Sequence, residues 1–97
     1  MNYYDKQGNP ISQDEFIKLM SNLNYKQIAN NECGKFRVST IWLGFNVGYG
    51  GLIRLFETMI FPLNSWNDLY CERYATEEGA KMGHIKAMYK VYFGVIK

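Results

Sequence analysis

The chain holds two cysteines, two prolines and one histidine in 97 residues, and each scarcity removes a class of protein. Cys33 and Cys71 form neither a CxxC pair nor a zinc-ligand spacing. The expectation is two reduced thiols in the cytoplasm rather than a disulfide framework. A lone histidine, His84, cannot build a multi-histidine metal centre, and no carboxylate cluster has ligand spacing, so no metal or cofactor is expected. Few prolines together with 47% apolar residues argue against disorder. Charge is sparse too. A net charge of +2 is too small to imply nucleic acid, whose binding needs clustered Lys and Arg against phosphates. No apolar run approaches the roughly 20 residues that cross a bilayer, and the first residues do not read as a signal peptide. A chain of this length is expected to form one domain over residues 1–97, with a single modest core.

What the chain does have is β-forming sequence around a glycine-rich connection. Phe36–Gly44 mixes β-branched and aromatic residues, including Val38, Thr40, Ile41 and Trp42, which suit a pleated, half-buried surface. Ile53–Phe61 repeats the signal. Between them, Phe45–Gly51 carries Gly48, Gly50 and Gly51, which permit the positive φ angles of a reversal. The pair reads as a long antiparallel hairpin at the centre of a sheet. The link fits neither a dinucleotide fingerprint nor a Walker motif, because a strand and not a helix follows it. It reads as a hairpin loop, or as a mobile binding loop with Phe45 and Tyr49 as aromatic faces and Asn46 as a polar handle.

Helices are expected near both ends. Ser12 reads as an N-cap with Glu15 closing a capping box, and Ile11 can staple onto Phe16. Phe16, Leu19, Met20 and Leu23 then recur at helical spacing. Upstream, Tyr3–Tyr4 reads as an extended entry to a turn at Gly8 and Pro10. Tyr25–Ala29 is a weaker strand candidate, Asn30–Lys35 a polar reversal, and Leu69–Ala75 a clear strand. Thr76 caps a second helix from Glu77 to about Phe93, with carboxylates at its positive end. Its apolar residues spread far beyond the about 100° stripe that one packing surface requires. Such a helix is covered twice: by its sheet, and by the first helix or by a second protein surface. Tyr89, Tyr92 and Phe93 are the expected anchors of a homodimer or partner contact. The fold expected is α+β: an antiparallel sheet of about four strands in a simple meander, with two helices packed on one face.

Glu57 is the most informative charge. Strand parity places it with Leu55 and Met59 on an apolar face, where an unpaired carboxylate is costly. Arg37, Arg73 and His84 are the available cations. If the helices cover that face, Glu57 is expected to bond Arg73 or His84, as a structural ion pair or as part of a binding or proton-transfer site. No nucleophile, base and orienting group stand together. Cys71–His84 and Ser39–His84 are pairings only in the sense that any two residues can meet.

Three stretches carry a resemblance. VSTIWLG at Val38–Gly44, FETMIF at Phe56–Phe61 and CERYATEEGAKMGH at Cys71–His84 resemble a family of short, uncharacterised proteins of phages, prophages and some bacteria. The opening YYDKQGNPIS is similar as well. Two features depart from that pattern: Phe45-Asn46-Val47 replaces a polar turn with a histidine, and Leu52-Ile53-Arg54 replaces a proline pair. The resemblance implies a phage setting, and no mechanism. The function expected is a small phage-encoded protein that occludes a host protein in the manner of an anti-CRISPR counter-defence factor. A second expectation is a sponge for a nucleotide signal, using Tyr49, Trp42, Arg54 or Arg73, commonly at a dimer seam. A third is a hydrolase or transferase using Glu57 and His84.

Overall fold

A computed structural model describes residues 2–96. Nine elements follow in order: β1 (Tyr3–Tyr4), β2 (Pro10–Ile11), α1 (Gln13–Met20), α2 (Leu23–Lys26), β3 (Gln27–Cys33), β4 (Phe36–Trp42), β5 (Phe56–Pro62), β6 (Tyr70–Tyr74) and α3 (Glu77–Tyr92). The four long strands form one antiparallel sheet in chain order, β3-β4-β5-β6, so the fold is the expected α+β meander. β1 and β2 make a separate small hairpin around Gly8, tied to the main sheet where the Tyr4 N–H donates to the Gly44 carbonyl at 2.8 Å. Gly44 has a φ of 77°, and a Cβ there would stand 2.6 Å from the Phe16 ring and 2.7 Å from the Trp42 indole. Only glycine fits that crossing.

Both expected caps form. Ser12 Oγ accepts from the Glu15 N–H at 3.1 Å, and Thr76 Oγ1 accepts from the Gly79 N–H at 3.0 Å. At Ser12 this is one half of a capping box: among the described residues no bond returns from the Glu15 carboxylate to the Ser12 N–H. The stretch after α1 differs from expectation. Asn22 Oδ1 accepts from the Asn24 and Tyr25 N–H groups and starts a short helix, α2, which takes Tyr25 and Lys26 of the expected strand, while Gln27–Ala29 open β3. β3 then runs through Asn30–Cys33, the segment expected to be a reversal, and the turn is confined to Gly34-Lys35. As an edge strand β3 bears polar side chains without penalty, so polarity alone did not mark a turn there.

Strand β4 shows the alternation that fixes the two faces: Val38, Thr40 and Trp42 are fully buried, while Arg37, Ser39 and Ile41 are half-buried. The register pairs these with Ile60, Thr58 and Phe56, also fully buried. This face lies beneath the helices. Trp42, Leu55, Phe56 and Ala80 form one cluster, with Phe16 and Leu19 of α1 against it; Val38, Ile60 and Ala87 form a second. Expectation failed at the start of β5. Ile53–Leu55 lie outside the strand, and both Leu55 and Phe56 are buried in the Trp42 cluster. Alternation breaks there because the Leu43 N–H donates to the Leu55 carbonyl at 2.7 Å in an irregular closure. Glu57 keeps the expected parity with Met59, but Leu55 does not share that face, and the helices cover the opposite one, with Phe56, Thr58 and Ile60.

Candidate functional site

Three constellations arise from this framework, one on each surface of the sheet and one on the outer side of α3. The first lies on the sheet face away from the helices. Register places Glu57 of β5 between Ile41 and Arg73, and Met59 beside Cys71. Glu57 is buried, and its Oε2 accepts from Arg73 Nε at 3.0 Å and from the Cys71 thiol at 3.5 Å. Burial, and then the neighbouring carboxylate charge, push the Cys71 thiol up to about 11. It stays protonated at neutral pH and is a poor nucleophile. Arg73 reaches past Glu57 into a cleft of about 220 Å³ lined also by Tyr49, Arg54, Val47 and Glu72.

The loop between β4 and β5 shapes that cleft. Asn46 Oδ1 accepts from the N–H groups of Gly48 (2.8 Å) and Arg54 (3.0 Å), pinning both sides of the loop. Gly50 and Gly51 take positive φ angles; Gly48 does not, its need for glycine being the close approach of the Leu52 carbonyl. Tyr49, 81% exposed, stands at the rim. Phe45 is half-buried.

The second constellation is buried beneath α3. His84 Nε2 lies 2.8 Å from Asn31 Oδ1 and Nδ1 lies 2.7 Å from Thr40 Oγ1, which contacts Thr58 Oγ1 at 2.5 Å. Asn31 offers a carbonyl oxygen, so Nε2 carries the ring proton and Nδ1 accepts from Thr40. Burial holds the His84 pKa below its ordinary value. The imidazole is neutral and fully bonded, and it anchors α3 to β3 and β4.

These placements revise several expectations. Glu57 and His84 occupy opposite faces of the sheet, because Thr58 and Thr40 point to the helices while Glu57 and Ile41 alternate away. His84 therefore cannot serve Glu57, and Arg73 is the partner. Cys71 and Ser39 share the Glu57 face, so neither meets His84. Trp42 is wholly buried, its indole N–H donating to the Tyr4 carbonyl at 3.2 Å; it belongs to the core and not to the Tyr49 cleft. Arg37 is stacked on Trp66 and Phe61 and makes no contact with Glu57.

The third constellation is the outer side of α3. Small residues face the sheet: Ala80, Gly83 and Ala87, with His84. Large apolar ones face out. Met82, Ile85, Tyr89 and Tyr92 are between 50% and 76% exposed, and Phe93 joins them. Tyr92 and Phe93 meet edge to face at 5.1 Å, with Tyr89 and Phe93 at 6.0 Å. Beside this ridge is an apolar groove lined by Cys33, Met88, Tyr89 and Tyr92. The first helix does not cover it; α1 packs at the Trp42 end, against β1 and α2. Tyr89, Tyr92 and Phe93 were expected from the sequence. Met82 was missed, and Ile85 counted only within the broad apolar spread of the helix and not as an anchor, although their spacing to Tyr89 and Tyr92 (three, four, three) is legible there.

Among the described residues no helix is long and apolar enough to cross a membrane, and no group of three or more His, Cys, Asp or Glu is placed to hold a metal. Compared with known proteins, the chain matches no family model, no curated protein and no solved structure.

Proposed function

We propose that this chain is a small binding protein that acts by covering a surface of another protein, with the outer side of α3 as its contact face. The observation that carries this reading is the inversion of α3: alanine and glycine turned to the core, methionine, isoleucine and three aromatic residues turned to solvent. A helix serving only its own fold puts its large apolar residues inward. More than half of each of Tyr89, Tyr92 and Phe93 is exposed, which at roughly 150–250 Å² apiece leaves on the order of 400 Å² of aromatic surface uncovered. That is half of the roughly 800 Å² each partner gives to a stable interface, and it is rich in the residue types that dominate binding energy. Catalysis has less support, since Glu57 is tied to Arg73, Cys71 is held protonated and His84 is sealed beneath α3. Within the phage setting that the sequence motifs imply, the partner is a host protein, in the manner of a counter-defence factor acting in the host cytoplasm.

Comparative capture tests this reading. Wild-type chain expressed in a bacterial host should retain a stoichiometric protein partner through purification, and Tyr89→Glu/Tyr92→Glu chain of equal stability should not. Equal retention by both would place the contact elsewhere. A second reading, capture of a nucleotide signal, is favoured by Tyr49, Arg54 and Arg73 lining one cleft. It ranks behind the first because about 220 Å³ falls short of the roughly 300–1,000 Å³ that encloses such ligands.

A further inference from the structure

The charges beside the exposed seam of α3 say what kind of partner it takes. Met82, Ile85, Tyr89 and Tyr92 follow the three-four spacing of a coiled-coil stripe. Lys81 and Lys86 border the stripe on opposite sides, Lys86 on the side of β6 and Lys81 on the side of β3, in line with Met88. Both lysines are exposed, and neither makes an ion pair among the described residues. The helix carries its carboxylates, Glu77 and Glu78, in its first turn; Glu77 is engaged by Lys6 at 3.7 Å, and Glu78 continues the stripe one turn before Met82. From Met82 to Tyr92 the seam is thus apolar in the middle with one lysine on each edge, Glu72 of β6 lining the cleft on the Lys86 side.

Resting on the reading of α3 as a contact face, we infer that it receives an amphipathic helix from a different protein, with an apolar stripe flanked by Asp and Glu. A second copy of this chain fits poorly. Antiparallel pairing that sets Met82 against Tyr92 and Ile85 against Tyr89 puts the two Lys86 side chains on the same flank, within one turn of each other. Parallel pairing brings Lys81 against Lys86. Either way like charges meet beside the seam, and parallel pairing also sets Glu78 against itself, whereas flanking charges normally fix the choice of partner. An acidic helix neutralises both lysines and buries the aromatic ridge together.

Two synthetic peptides of about 20 residues test this, each with leucine along one heptad stripe and with glutamate or lysine at all flanking positions. The intact chain is titrated with each by fluorescence anisotropy at low and at physiological salt. The Glu-flanked peptide should bind at least about tenfold more tightly than the Lys-flanked one, and Lys81→Glu/Lys86→Glu chain should reverse the preference. Salt should weaken the Glu-flanked complex. Equal binding of the two peptides, or a preference unmoved by the lysine substitutions, overturns the inference. So does sedimentation showing a tight dimer broken by Tyr92→Glu while neither peptide binds, though that result keeps α3 as a contact face. Absence of both peptide binding and self-association overturns the inference and the contact-face reading alike.

Discussion

The Tyr74 ring lies directly against the backbone of Gly83, so close that a Cβ at that position would overlap the ring's Cζ and hydroxyl oxygen. Glycine in mid-helix sacrifices about 1 kcal/mol of propensity relative to alanine, and here the loss lets α3 settle onto β6. Gly83→Ala should therefore destabilise the domain by about 1–3 kcal/mol in spite of the better helix former. The Tyr74 hydroxyl, near Thr58 and Tyr70, is buried without a hydrogen bond of good geometry. Tyr74→Phe should be neutral or stabilising, by up to about 1 kcal/mol. Urea unfolding measures both, and a neutral Gly83→Ala would contradict the close packing.

The cap at Ser12 should behave as a single interaction. Ser12→Ala is expected to cost about 0.5–2 kcal/mol, because the Glu15 N–H loses its acceptor. The Glu15 side chain makes no return bond, so the effects of Ser12→Ala and Glu15→Ala should add in a double-mutant cycle. A coupling above about 0.5 kcal/mol would show a closed capping box in solution.

Glu57 and Arg73 should respond unequally. Removing Arg73 leaves a buried carboxylate without its charged donor, a loss of about 1–3 kcal/mol for the orphaned acceptor, whereas removing Glu57 leaves a guanidinium already in contact with water. Arg73→Ala should be the more destabilising in denaturant titrations, and Glu57→Gln the mildest of the three. Greater damage from Glu57→Ala would mean that the arginine, not the carboxylate, is the dependent partner.

How legible this was in the sequence depended on how local the signal was. The caps at Ser12 and Thr76, the pairing of β4 with β5 and the exposure of Tyr89, Tyr92 and Phe93 all follow from short-range pattern. Strand parity put Glu57 with Met59, as found, but which face the helices cover did not follow, because it depends on packing between distant elements. Asn30–Glu32 looked like a turn because edge strands tolerate polar residues. The link from His84 to Asn31 spans 53 positions, and nothing near either residue announces it. Trp42 read as a binding aromatic only because its burial depends on Phe16 and Tyr25, which come from two other elements.

His84 makes stability depend on pH in a defined direction. Its folded pKa lies below the ordinary value, the cause being burial. The unfolded chain takes up a proton as pH falls through about 6.5 while the folded chain resists, so the His84 contribution is complete above that pH and declines below it. Unfolding free energy should drop between about pH 7.5 and about pH 5.5, and His84→Gln should flatten that segment of the profile. A wild-type profile that rises toward acid would contradict a neutral, buried imidazole.

The outer side of α3 is the centre of this account, and paired measurements on one variant test it most directly. Tyr89→Glu/Tyr92→Glu is taken through urea unfolding and through titration with the Glu-flanked peptide. The account predicts unfolding free energy within about 0.5 kcal/mol of wild type, as for exposed positions, together with binding weakened at least about tenfold. Marked loss of stability with binding affinity retained would contradict it, because the aromatic ridge would then serve the fold and not a partner.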